Sequence, residues 1–125
     1  MEELEQKFEE MCDDLKEYEG VKEAFLLNNE GNVLFKSNNF ELSNEESRAI
    51  LQAWKDKKPA LNYRNARYAV LKNDEIQLAA KNVSNGKGIA GSVTKDGNYL
   101  IIQTEQDSGM ILLEWSIFVN KVAWT

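Results

Sequence analysis

Histidine is absent from this chain of 125 residues, and cysteine and proline occur once each, as Cys12 and Pro59. Without an imidazole, the commonest general base near neutral pH and the commonest metal ligand are gone. One cysteine and no histidine exclude a thiol–imidazole pair, an internal disulfide and a structural zinc site. The single thiol fits a reducing cytosol. No stretch approaches the ~18 consecutive apolar residues of a membrane span. The opening residues are acidic, the reverse of a secretory signal. The triplet Asn82-Val83-Ser84 spells a glycosylation acceptor, but with no secretion signal it reads as a chance match. The run Gly86-Lys87-Gly88-Ile89-Ala90-Gly91 spells G-x-G-x-x-G. Dinucleotide binding needs that run between a strand and a helix N-terminus. Here it leads into Ser92-Val93-Thr94 and a hairpin turn, so it reads as a loop entering a strand. Nothing assembles a catalytic site, and the expectation is a protein with no enzymatic activity, no cofactor and no metal.

Acidic residues outnumber basic ones overall, for a net charge of -6, but the excess is unevenly placed. Residues 1–47 hold 4 Lys/Arg and 14 Asp/Glu, a net of -10. Residues 48–95 hold 10 and 3, a net of +7, and residues 96–125 hold 1 and 4, a net of -3. A basic middle on an acidic protein fits either a locally acidic partner or an acidic helix and a basic sheet that neutralise each other across the fold.

What is present in quantity is alternating apolar sequence between turn residues. Residues 66–104 read as four strands, 66–72, 75–82, 88–95 and 98–104, rich in β-branched and aromatic side chains. Asn73-Asp74, the looser 83–87 loop and Asp96-Gly97 separate them, the last being the strongest hairpin signal in the chain. The expectation is an antiparallel meander that the rest of the chain covers. Residues 2–19 read as a helix with Leu4, Phe8, Met11, Cys12 and Leu15 on one stripe and Gly20 ending it. Cys12, lying on that stripe, reads as a small core residue. Residues 22–28 and 32–37 read as a hairpin whose first strand is apolar on both faces, and therefore central or covered twice. Asn38-Asn39 breaks the pattern. Ser43-Asn44-Glu45-Glu46 is a capping box, with Leu42 as its staple, opening a helix to about Asp56. Its buried side is expected to be Ala49, Ile50, Ala53 and Trp54, and Lys57-Lys58-Pro59 ends it. A short strand, 61–63, then leads to a turn at Arg64-Asn65. Asp107 or Ser108 is the expected cap of a last helix, 109–124. Met110, Ile111, Leu113, Trp115, Ile117, Phe118, Val119, Val122 and Trp124 cover more than one stripe of it. So apolar a helix is buried on two sides, or buried on one and used on another. The first helix is the obvious neighbour. Trp124, at the end of the chain given, is expected to serve mainly as a packing anchor near Leu4 and Phe8.

Helix, hairpin, helix, meander, helix is also the plan of a known family. Asn29-Glu30-Gly31-Asn32-Val33-Leu34-Phe35-Lys36-Ser37, followed by Phe40 and the helix start at Ser43–Glu46, resembles the second-strand region of profilins. Lys87-Gly88-Ile89 through Val93-Thr94-Lys95, then Asn98-Tyr99-Leu100-Ile101-Ile102, resembles the family's glycine-led strand and its hydrophobic successor. The likeness spans roughly residues 20–104 in sequence, and the end helices by plan, and is similar to the divergent profilins of archaea that possess actin. It implies a single α+β domain over 1–125: a central antiparallel sheet of about six to seven strands, with the N- and C-terminal helices on one face and a further helix on the other.

The resemblance further implies a cytoplasmic, cytoskeleton-associated monomer that binds actin monomers and regulates their polymerisation. Carried over by position, the actin surface falls on Lys58, Arg64, Arg67, Lys72, Glu75, Gln77, Lys81, Lys87, Met110 and Glu114. The strand period alone puts Glu75, Gln77 and Lys81 on one face. An ordinary solvated sheet face is the plainer reading of the same pattern. The family's proline-rich ligands dock on rings from both terminal helices. Phe8, Trp115 and Trp124 are the residues here for that role, but the opening turns, Met1-Glu2-Glu3-Leu4-Glu5, hold no aromatic. Polyproline is therefore expected to bind weakly or not at all. Phosphoinositide lipids are expected to bind at most weakly and in a salt-sensitive way, because the acidic first helix opposes the basic middle, and no nucleic-acid partner is expected. The alternative reading is a roadblock- or longin-like dimeric module that scaffolds or regulates small GTPases. Helix placement separates the two, since profilins put both terminal helices on the same face.

Overall fold

The computed structural model of the chain describes residues 2–37, 40–106 and 110–124. The apolar stripe at the start folds as helix α1 (Glu2–Leu15), four residues shorter than its sequence pattern. The amides of Lys16 and Glu17 reach back only to the carbonyls of Asp13 and Asp14, at 3.1 and 3.2 Å. That tight turn lets the Tyr18 ring meet Phe118 edge-on at 4.9 Å. Gly20, at φ 127, leads into a strand and does not cap the helix. Strands β1 (Val21–Leu27) and β2 (Val33–Lys36) form the expected hairpin. Asn38-Asn39, where the strand pattern breaks, lies outside the described residues.

Helix α2 (Asn44–Lys55) begins as the capping residues predict, with the Ser43 hydroxyl accepting from the Glu46 amide at 3.1 Å. The reciprocal half of the box is replaced. The Glu46 carboxylate accepts from the Arg64 amide at 3.0 Å, because the next hairpin lies within its reach. Ser47, Ile50, Leu51, Ala53 and Trp54 form the buried side, whereas Ala49, expected there, is exposed. The helix ends in a Schellman motif: Lys57, at φ 54, donates to Trp54 and Lys58 donates to Ala53.

Strands β3 (Ala60–Tyr63), β4 (Ala66–Asn73), β5 (Gln77–Lys81), β6 (Gly88–Val93) and β7 (Tyr99–Thr104) follow. Strand β5 starts two residues later than its pattern, so Glu75 sits in the turn before it. The cause is Asp74, whose carboxylate accepts the amides of Ile76 and Gln77 at 2.8 and 2.7 Å and holds them in an Asx turn. Helix α3 (Leu112–Ala123) starts three residues later than expected. The expected caps, Asp107 and Ser108, lie outside the described residues. The Glu114 carboxylate takes the Ile111 amide at 3.1 Å and closes the first turn instead. Among the described residues no helix is long and apolar enough to cross a membrane.

The strands form one antiparallel sheet in the order β2-β1-β7-β6-β5-β4-β3. Alternation divides its side chains between two cores. Phe25, Leu27, Tyr63, Tyr68, Leu78, Ile89 and Ile101 pack on α2. Ala24, Leu26, Ala90, Leu100 and Ile102 pack on α1 and α3 through Phe8, Leu15, Trp115, Val119 and Val122. The doubly apolar β1 is thus central and covered twice, and both terminal helices share one face. The glycine run is used in packing: Gly86 takes φ 75 in a turn, and a Cβ on Gly88 or Gly91 would come within 2.7 Å of Leu112 or 3.0 Å of the Trp54 ring. Asn82 is buried, and its side-chain oxygen accepts the amides of Ser84 and Asn85, so it is tied up inside the loop.

The sheet is strongly curled. Five pairing steps separate β1 from β3, which in a flat sheet would be about 24 Å. Yet the Tyr63 hydroxyl on β3 donates to the Glu23 carboxylate on β1 at 2.7 Å, and the Phe25 and Tyr63 rings stack at 6.0 Å. The two sides of the sheet meet around α2 as a half-barrel.

Candidate functional site

Helix α3 lies over β5 and β6, on the face opposite α2. Ala79, beneath it, is fully buried. The same face of β4 is left open. Register pairs Ala69 with Lys81 and Lys72 with Ala79, so Arg67, Lys72, Gln77 and Lys81 share this face. The register slip between Val70 and Lys72 is a bulge, and it turns Leu71 outward, to 59 % exposure. Lys72 donates to the Gln77 side-chain oxygen at 2.6 Å.

The uncovered flank of α3 is apolar. Leu113 and Ile117, one turn apart, are 45 % and 60 % exposed, and Ile111 before them is exposed as well. A hollow of about 300 Å³ at the start of the helix is lined by Lys81, Met110, Ile111 and Glu114. At the other end Trp124 and Ile76 border a wider, open hollow with Lys57, Glu75, Gln77 and Asn120. Apolar residues rimmed by Arg and Lys, on a sheet face that no element covers among the described residues, form a surface suited to another protein.

Of the positions carried over from the resemblance, Lys81, Met110 and Glu114 meet in the first hollow, Glu75 and Gln77 in the second, and Arg67 and Lys72 lie between on β4. Three lie apart. Arg64 is turned to the α2 side, where its guanidinium pairs with Glu23 and stands over the Phe40 ring at 5.6 Å. Lys58 is in the α2 C-terminal turn. Lys87 is in the β5–β6 loop beside Lys22, whose ammonium, through hydrogen bonding and charge, holds Lys87 below the usual lysine range. The exposed Leu71, Ile76, Leu113 and Ile117 escaped residue-by-residue reading. The signal for the α3 pair was present in a helix apolar on more than one stripe; a bulge such as that at Leu71 has none.

The three aromatic residues considered for proline-rich ligands form no groove. Phe8 and Trp115 are core residues, 4 % and 1 % exposed. Trp124 does not dock beside Leu4 and Phe8. It is 43 % exposed, and its indole N–H donates to the Val93 carbonyl at 2.8 Å, at the far end of β6. Its anchor is a hydrogen bond and not burial. The hollow between α1 and α3 is lined by Lys7, Glu10, Met11, Asp14, Asp96 and Val122, with the Lys7–Asp96 ion pair at its rim.

Fold and surface define a class: a small single-sheet recognition domain, with two terminal helices on one face, that presents sheet and helix together. No protein-family model matches the chain. It is 54 % identical over 97 % of its length, and 98 % of the relative's, to Loki profilin-3 of Lokiarchaeum sp. (strain GC14_75). The chain belongs to the profilin family. Among solved structures it is similar to a chain of the LokiProfilin2/rabbit actin complex, with TM-score 0.79 at 14 % identity over 98 % of this chain and 94 % of that one. It is also similar to Acanthamoeba castellanii profilin II, with TM-score 0.67 at 21 % identity over 82 % of each. At those identities the likeness is one of fold. The alternative of a roadblock- or longin-like module is set aside by the family and by the two terminal helices lying on one face.

Proposed function

We propose that this protein binds actin monomers and regulates their polymerisation, through the open face of β4–β5 and the apolar flank of α3, without catalysing a reaction. The observation that carries the reading is the 54 % identity, over nearly the whole chain, to a profilin of Lokiarchaeum. It is supported by the fold shared with a chain of a profilin/actin complex. The surface fits the role: Leu113 and Ile117 supply an apolar centre, and Arg67, Lys72 and Lys81 a basic rim. In this reading the protein works as a monomer in the cytoplasm beside actin. Proline-rich peptides bind weakly or not at all, and anionic phosphoinositides only weakly and at low salt.

The test is assembly of a matched archaeal actin followed by a fluorescent label. Wild-type protein slows spontaneous assembly. Arg67→Glu with Lys81→Glu abolishes the effect while circular dichroism and melting stay as in wild type. Rim charges act mainly on association rate. Ile117→Asp, at the apolar centre, weakens binding roughly tenfold or more at any salt. Unchanged assembly at large excess of wild type sinks the reading.

A further inference from the structure

Arg64 stands at a position that disfavours it. It and Asn65 take φ 52 and φ 64 between β3 and β4. A two-residue hairpin turn with both central residues left-handed ordinarily carries Asn and Gly. Its side chain accounts for its place. The guanidinium donates to one oxygen of the Glu23 carboxylate, and the Tyr63 hydroxyl donates to the other at 2.7 Å. Glu23 is 5 % exposed and lies on β1, five pairing steps from β3. The same turn is tied to the start of α2 through the Arg64 amide and the Glu46 carboxylate. A second link runs in parallel, with Gln103 on β7 donating to the Tyr68 hydroxyl on β4 at 2.8 Å. The β3–β4 hairpin is the outer edge of the sheet, and Arg67 and Lys72 of the open face ride on it. Its position is set by what crosses the half-barrel as well as by its pairing to β5.

We infer that Glu23, Tyr63 and Arg64 form a latch that holds the β3–β4 hairpin across the half-barrel to β1, and that Arg64 serves the binding face as a positioning residue and not as a contact. The part that concerns binding rests on the reading of the open face as an actin surface. The latch itself does not. A carboxylate at this burial is stable only with its partners in place, so both partners act through Glu23. Burial and the Glu23 carboxylate push the Tyr63 phenol well above the usual tyrosine range, so it stays a donor.

The experiment is a double-mutant cycle on the full chain with Glu23→Gln, Arg64→Gln and the pair, read by hydrogen exchange and by actin affinity well below the melting temperature. The expected result is faster exchange over 60–73 in each variant, with 112–123 unchanged. Each single variant weakens actin binding roughly three- to tenfold, and the double variant no further, as for residues acting as one unit. If Glu23→Gln fails to fold, Tyr63→Phe removes one bond of the latch, keeps the ring, and shifts both readouts the same way by less. Exchange over 60–73 that stays as in wild type overturns the latch. Weakened binding in Arg64→Gln with none in Glu23→Gln makes Arg64 a contact and overturns its positioning role. Should wild type leave actin alone, the proposed function fails, and the exchange arm still decides the latch.

Discussion

Single residues divide by whether their partners are near in sequence. Cys12 was legible, because its neighbours on a helical stripe are fixed by the period of the helix. Desolvation pushes its thiol up to about 11, with Lys16 opposing. At pH 8 only ~0.1 % is then thiolate, against some tens of percent for an ordinary cysteine. Disulfide-exchange labelling is expected to run on the order of a hundredfold slower in the native protein than in denaturant; equal rates would place the thiol in solvent. Asp74 was legible as a turn residue but not as the cause of the late start of β5. The Gln77 and Ile76 amides hold its carboxyl below the usual range. A depressed folded value contributes stability above the unfolded value, and that stability is lost as pH falls through the folded one. Asp74→Ala should therefore cost about 0.5–1 kcal/mol near neutral pH, and the difference from wild type should vanish in denaturation curves taken at the acid end. Glu23, Arg64 and Glu46 were not legible in this sense, since each finds its partner 18 or more residues away, and spacing carries no information on that scale.

At the scale of elements, local chemistry sets some boundaries, which are visible in the sequence, and packing sets the others. The Ser43 cap, the Asp96-Gly97 turn and the stop before Pro59 follow from residues next to one another. The early end of α1 does not, since it depends on Tyr18 reaching Phe118. Ala49 and Leu51 were exchanged for the same reason: both are one position from the centre of the apolar stripe, and the sheet chooses between them. Helix α2 offers a direct check of the local part. Lys57 holds the left-handed position of its Schellman motif at φ 54, where a side chain is strained and glycine is not. Lys57→Gly is expected to raise stability by about 0.5–1 kcal/mol, and Ser43→Ala to lower it by about 1 kcal/mol. Chemical denaturation of the two variants reads both. A Lys57→Gly variant no more stable than wild type would show that the positive φ carries no strain.

The whole molecule adds what neither residues nor elements hold, namely which surfaces are left over. Sequence pattern gave seven strands and three helices in order and even the sharing of one face by the terminal helices, but not the curl that brings β3 to β1. The division of charge became interpretable only with that shape. Glu3, Glu5, Glu9, Glu10, Asp13 and Asp14 of α1 face outward, the buried Glu23 of the acidic segment pairs with the more exposed Arg64 of the basic one, and Arg67 and Lys81 remain exposed on the open face. The shape also bears on proline-rich ligands. Such ligands need two or more rings nearly parallel on a surface, and lose little entropy because their extended helix is already formed. Here Phe8 and Trp115 are enclosed by the second core, and Trp124 is held at the end of β6, away from α1. The three tryptophans thus differ sharply in access, with Trp54 and Trp115 nearly enclosed and Trp124 half open. Acrylamide should quench one component of the fluorescence, and Trp124→Phe should remove it. Polyproline added to the wild type should leave that component unchanged through millimolar peptide. A saturable change at micromolar peptide, lost in Trp124→Phe while the melting temperature holds, would mean that a single half-exposed ring and its neighbour Ile76 suffice as a platform, and that the missing aromatic residues of α1 are not what decides binding.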